Sequence, residues 1–163
     1  MVVTAIALGV LTTDGYACSF SQEHQQKVRA SVLTRYPGGT TTQTGELRWI
    51  SPDKLMFFTY GGCEDLGSAA WETRQVDAPL SDESAFGVAL RLAEHFWTKD
   101  LIGADSQALA ILRNGIMKKA WTTKRSNGET HFEFAHPSYV ALGITHTYDK
   151  GWDTVSIEWQ GNF

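Results

Sequence analysis

Two β-rich stretches separated by a pair of helical ones predict an α+β fold, a largely antiparallel sheet built from hairpins with two central helices packed on it. Three observations carry this prediction. Asn127-Gly128 separates the strand-like runs 121–125 and 129–135, and Asn-Gly is a strong hairpin signal because both residues tolerate positive φ. Val155, Ile157 and Trp159 alternate with Thr154, Ser156 and Glu158, so that strand buries one face only. Between the two β-regions, Ala85, Phe86, Ala89, Leu92, Ala93 and Phe96 recur at spacings of three and four, the period of an amphipathic helix.

The elements follow in order. Residues 21–35 open polar (SQEHQQK) and turn mixed (VRASVLTR), which reads as a short helix leading into a strand. Tyr36-Pro37-Gly38-Gly39 is a turn, and the threonines at 40–42 read as an exposed loop. Strands at 46–50 and 55–60 flank Ser51-Pro52-Asp53-Lys54, where proline in the second position favours a type I turn. A third strand, 66–76, centres on Trp71. Ser81 is placed to cap the first central helix, with Asp82 and Glu83 on its positive end. Asp105 is placed to cap the second, whose buried stripe is Ala108, Leu109, Leu112 and Ile116. Strands at 139–148 and 152–159 meet at Asp149-Lys150-Gly151 and close the fold.

The chain has 163 residues, which is about one domain, and it shows no repeat, linker or low-complexity tract. Val2 to Leu11 (VVTAIALGVL) is a ten-residue uncharged, mostly apolar run. It is too short for a bilayer, which takes about 20 residues. Gly15 and Ala17 fit the small-residue requirement of signal cleavage before Cys18. The expectation is therefore a signal peptide over 1–17 and a single domain over 18–163, periplasmic or secreted. No basic segment precedes the apolar run. A lipid anchor at Cys18 is the second possibility, although Gly15 and Tyr16 depart from the usual lipoprotein pattern. In an oxidising compartment the two cysteines, Cys18 and Cys63, most simply pair as a disulfide, a bridge that typically stabilises by about 2–4 kcal/mol.

Charge narrows the partners. A net charge of −4 argues against a nucleic-acid binder, which needs a basic surface to displace phosphate counterions. No nucleophile elbow, P-loop, H-E-x-x-H or dinucleotide fingerprint is present. His131-x-Glu133-x-x-His136 is the most site-like cluster, with His146 on the next strand; against a metal site stands a plain solvated face opposite Phe132 and Phe134. Glu94-His95 reads as the edge of a helical stripe.

Six Trp, five Tyr and eight Phe are more than a core of this size easily hides. The run Leu55-Met56-Phe57-Phe58-Thr59-Tyr60 is apolar on both faces, so its strand is either covered on both sides or part of a recognition surface. The sequence therefore points to a small exported bacterial binding protein, of the inhibitor or immunity kind that blocks a wall-degrading or toxic enzyme. It needs no cofactor or metal, and its partner is a protein. Contacts are expected from Tyr36, Tyr60, Trp71 and Trp152, with Glu64 and Asp65 steering a basic partner. The alternatives are a small hydrolase using His131, Glu133 and His136, and a lipid-anchored surface or assembly module.

Overall fold

The computed structural model describes residues 22–61, 66–98 and 104–161. The leader 1–17, Cys18, Cys63, Glu64 and Asp65 lie outside the described residues, and with them the expected disulfide and acidic loop. Helix α1 (Gln22–Arg35) comes first. Four strands follow: β1 (Thr40–Thr41), β2 (Leu47–Ile50), β3 (Lys54–Gly61) and β4 (Leu66–Gln75). Helices α2 (Asp82–Phe96) and α3 (Asp105–Lys118) lead to β5 (Thr122–Ser126), β6 (Glu129–Glu133), β7 (Tyr139–Asp149) and β8 (Trp152–Gly161).

The strands form one antiparallel eight-stranded sheet in the order β1-β2-β3-β4-β8-β7-β6-β5. Two consecutive meanders thus meet along the β4–β8 seam, where Leu66↔Gly161 through Gln75↔Trp152 pair without interruption. Helices packed on a largely antiparallel sheet is the fold class that the hairpin signals predict. Asn127 (φ 49°) and Gly128 (φ 79°) both adopt positive φ, as a type I′ turn demands, and Lys150 (φ 49°) with Gly151 (φ 84°) does the same.

Three local expectations are corrected. First, residues 22–35 are helical throughout: Val28 and Val32, four apart, bury one stripe against the core, and that stripe wins over the β-branched character of the segment. Second, Thr40 and Thr41 are not loop but a two-residue edge strand on β2. Third, Asp105 does not cap α3. Ala104 holds that position without a side-chain bond, while the Asp105 carboxyl turns inward to the indole of Trp159. Ser81 does cap α2, accepting from the Ser84 amide at 3.2 Å.

Helices meet the sheet on one face. Phe96 of α2 stacks on Phe58, with ring centroids 5.0 Å apart, and Phe86 packs edge-on against Phe132 at 4.7 Å. His24 of α1 bonds the Tyr60 hydroxyl, and Asp105 of α3 bonds Trp159. The alternating burial of β4 and β8 records the same division. Phe58, Tyr60, Ala70, Ile144, Val155, Ile157 and Trp159 share this covered face and are buried.

Gly115 shows how tight the α3 contact is. A Cβ there would lie 2.3 Å from Cδ1 of Phe134, itself a buried side chain. Alanine in a helix interior is usually favoured over glycine by about 1 kcal/mol. Here the ring cannot retreat, so Gly115→Ala is expected to destabilise the fold by about 1–3 kcal/mol in urea unfolding. A stabilising result would show that α3 sits more loosely on β6 and β7.

Candidate functional site

The face of the sheet opposite the helices is where the unused aromatic side chains gather. Register places Ile50, Leu55, Phe57, Trp71, Thr73, Thr154, Ser156 and Trp152 on it. Phe57 and Trp71, directly paired across β3 and β4, stack at 5.0 Å with an interplanar angle of 12°. Ile50 is 66% exposed and Trp152 46% exposed. Leu55 and Trp152 border one shallow recess with Pro52, Asp53 and Gln75. The two-sided apolar run 55–60 is thereby resolved: Phe58 and Tyr60 enter the core, while Leu55 and Phe57 stand half-buried on the open face.

A second recess, of about 470 Å³, lies at the end of the same face, where β3, β4 and β8 meet α1. Thr59, Gly61, Gly67 and Ala69 line it, with Glu158 and Gln160 from β8 and Gln25 and Arg29 from α1. Ala69 and Trp71 are two residues apart on one strand face, about 7 Å at ~3.4 Å per residue, so the recess and the aromatic stack adjoin. Gly61 has φ 151°, and a Cβ there would come within 2.6 Å of Oε1 of Gln25. Glycine at 61 is what lets α1 approach this end of β3.

The expected contact residues separate into two groups. Trp71 and Trp152 belong to the open face. Tyr36 and Tyr60 do not: Tyr36 stacks on His95 at 3.7 Å and donates to the His95 carbonyl, and Tyr60 is buried. Their hydroxyls signalled amphipathic contact residues, yet each found its polar partner inside the domain. Glu64 and Asp65 lie outside the described residues. Sequence reasoning missed Ile50, Phe57 and Arg29 as site residues. Strand alternation with Trp71's partner would have found Phe57; Arg29 carried no signal while its segment read partly as strand.

The histidine cluster does not converge. His131 and Glu133 share the open face, but His146 pairs with Thr130 and therefore points to the covered face. There it bonds Asp153 at 2.9 Å. Nδ1 of His131 lies 3.0 Å from Oγ1 of Thr145. Glu133 accepts from Lys124 at 2.9 Å, and that bond, with the lysine's charge, holds its carboxyl below the usual range. His136 accepts from the Ser138 amide. Among the described residues no three His, Cys, Asp or Glu side chains are grouped to hold a metal ion. No helix among them is long and apolar enough to cross a membrane.

Of the three buried carboxyls among the described residues, Glu72 lies against Lys54 and Arg74, and the two aspartates stand apart. Asp105 accepts from Nε1 of Trp159 through one oxygen, while the other is buried without a hydrogen bond. Burial pushes its carboxyl up to about 8, against an ordinary 3.8, and the Trp159 bond offsets part of this. The Tyr60 hydroxyl is pushed up to about 12, chiefly by burial and then by Asp105, and Tyr139 is raised for the same reasons. Asp153 accepts from both the Leu80 amide and His146 through Oδ2. Neither carboxyl lines a described recess, so both read as structural. No protein-family model, curated protein or solved structure matches this chain.

Proposed function

We propose that this chain is a binding protein that docks a protein partner on the open face of its sheet, working outside the cytoplasm as an inhibitor or immunity protein that blocks an enzyme. One observation carries the reading. The helices cover one face of the sheet, and the opposite face bears Ile50, Leu55, the Phe57–Trp71 stack and Trp152, with small hydroxyl residues between them. Aromatic side chains on an exposed sheet face are a common source of binding energy, because they bury much area at low entropic cost. The compartment rests on the apolar leader and the cysteine pair of the sequence.

Capture experiments test this directly. The mature chain, immobilised, is expected to retain a stoichiometric hydrolase or toxin from periplasm or from competitor-cell lysate, and to lower that enzyme's activity in titration. Trp71→Ala should weaken capture by about tenfold or more, the loss typical of an aromatic hot spot. Met117→Ala is the control, since Met117 is 74% exposed on α3, away from the open face. Equal loss from both variants, or capture that Trp71→Ala leaves intact, would overturn the assignment of the face.

A further inference from the structure

Arg29 and Arg48 each carry a buried Nε without a hydrogen bond, and of the two only Arg29 borders a recess described above. Arg74, Arg113 and Arg125 each lie against a carboxylate. Arg29 forms no ion pair among the described residues. Its Nη2 donates to the Tyr60 carbonyl at 3.1 Å, and its Nε is buried without a hydrogen bond. A buried, unsatisfied donor on a charged group is costly, and in folded proteins such groups usually have a partner. The guanidinium lies between two positive-φ glycines: a Cβ on Gly45 would come within 3.2 Å of Nη1, and one on Gly61 within 3.7 Å of Nη2. It also borders the recess of about 470 Å³ at the end of the open face.

We infer that this recess receives the free C-terminal carboxylate of a polypeptide partner, with Arg29 as its counter-charge. The inference deepens the docking proposed above and rests on it. A planar guanidinium presents a fork of donors that matches a carboxylate; Nε is sealed from solvent, so the pairing falls to the Nη groups beside Gly45 and Gly61. The recess is too small for a folded element and is floored by Thr59, Gly67 and Ala69, short side chains that leave room for a chain end. Glu158 stands on the β8 side. Its negative charge opposes any anion in the recess, so a carboxylate is confined to the α1 side, beside Arg29. One residue pair along β4, the Phe57–Trp71 stack is placed for an apolar side chain just upstream of that terminus. The recess thus selects a chain end with one carboxylate and an apolar neighbour.

The probe is an N-acetylated, random-sequence tetrapeptide mixture with a free C-terminal carboxylate, compared with the same mixture amidated. The readout is the Arg29 Nε–H resonance together with the Gly67 and Ala69 amides in the intact chain. The carboxylate mixture is expected to shift all three, and the amidated mixture to bind at least about tenfold more weakly, as loss of a charge-assisted pair implies. Sodium acetate should compete weakly at the Arg29 signal without reaching the Trp71 indole. Arg29→Gln should remove the distinction between the mixtures. Because Arg29 also supports Tyr60, a second variant, Ala69→Gln, fills the recess without touching that bond and should abolish binding in a chain that unfolds normally. Equal affinity for the two mixtures, or no shift from either, would overturn the inference. Capture of a partner that Trp71→Ala still weakens would then leave the broader docking reading standing.

Discussion

Replacing Asp105 with asparagine is expected to stabilise the domain at alkaline pH and to flatten its stability profile. The folded carboxyl titrates near 8 and the unfolded one near 3.8. Between those values the folded chain holds a proton that the unfolded chain has released. Stability therefore falls as pH rises from about 4 to about 8, and is level outside that window. Below pH 4 the neutral acid is present in both states and the full contribution is retained. Asparagine keeps an oxygen for the Trp159 indole and has no charge to bury. At pH 9 the variant should exceed the parent by at least about 2 kcal/mol in urea unfolding, since a tenfold change in proton affinity between the two states corresponds to about 1.4 kcal/mol. The parent–variant difference, measured from pH 4 to 9, isolates Asp105 from every other titrating group. A parent no less stable at pH 9 than its variant would show that the carboxyl is solvated or paired in solution.

The opposite outcome is expected at Asp153. This carboxylate fastens the 76–81 connection to the sheet by accepting from the Leu80 amide, and it is the partner of buried His146. Asp153→Ala leaves the buried His146 and the half-buried Leu80 amide without their acceptor. Leaving a buried donor unsatisfied costs about 1–3 kcal/mol, so the alanine variant should unfold at markedly lower urea with an unchanged slope. Asp153→Asn keeps one acceptor oxygen and should lose less. Equal losses would mean that charge, and not hydrogen bonding, holds the connection. A loss below about 1 kcal/mol would mean that water replaces the carboxylate. Two buried aspartates thus carry opposite expectations, because Asp153 satisfies two donors and Asp105 only one, while each keeps a second oxygen buried without a hydrogen bond.

The sheet and its hairpins were legible in the sequence wherever the signal was local. Asn127-Gly128 and Lys150-Gly151 carry their own turn geometry, and the alternation through Val155, Ile157 and Trp159 names its buried face. Ser81 as a cap follows from short-range chemistry alone. Legibility fails where the deciding contact is distant. Asp105 stands at a helix start, where a cap is the local solution, but Trp159, 54 residues on, offers a donor inside the core. The split of 55–60 between two faces depended on which face the helices chose, and no property of the strand determines that. His146 was misplaced against His131 because their relation is a matter of register. His131 pairs with Thr145, so His146 is one residue out of phase with it, which on a sheet means opposite sides. Arg29 entered the candidate site only when α1 was seen to continue as helix to Arg35 and to cross the end of β3.

The β4–β8 seam has a consequence for how such a chain comes together. The two central strands, Leu66–Gln75 and Trp152–Gly161, are among the most widely separated in the chain, and Trp71 meets Ser156 only after everything between has been made. Until that pairing forms, each meander ends in a bare inner edge able to pair with any extended segment nearby. Non-local closure of this sort is slow, so the sheet lacks a finished centre until the last of the described strands, β8, has joined β4.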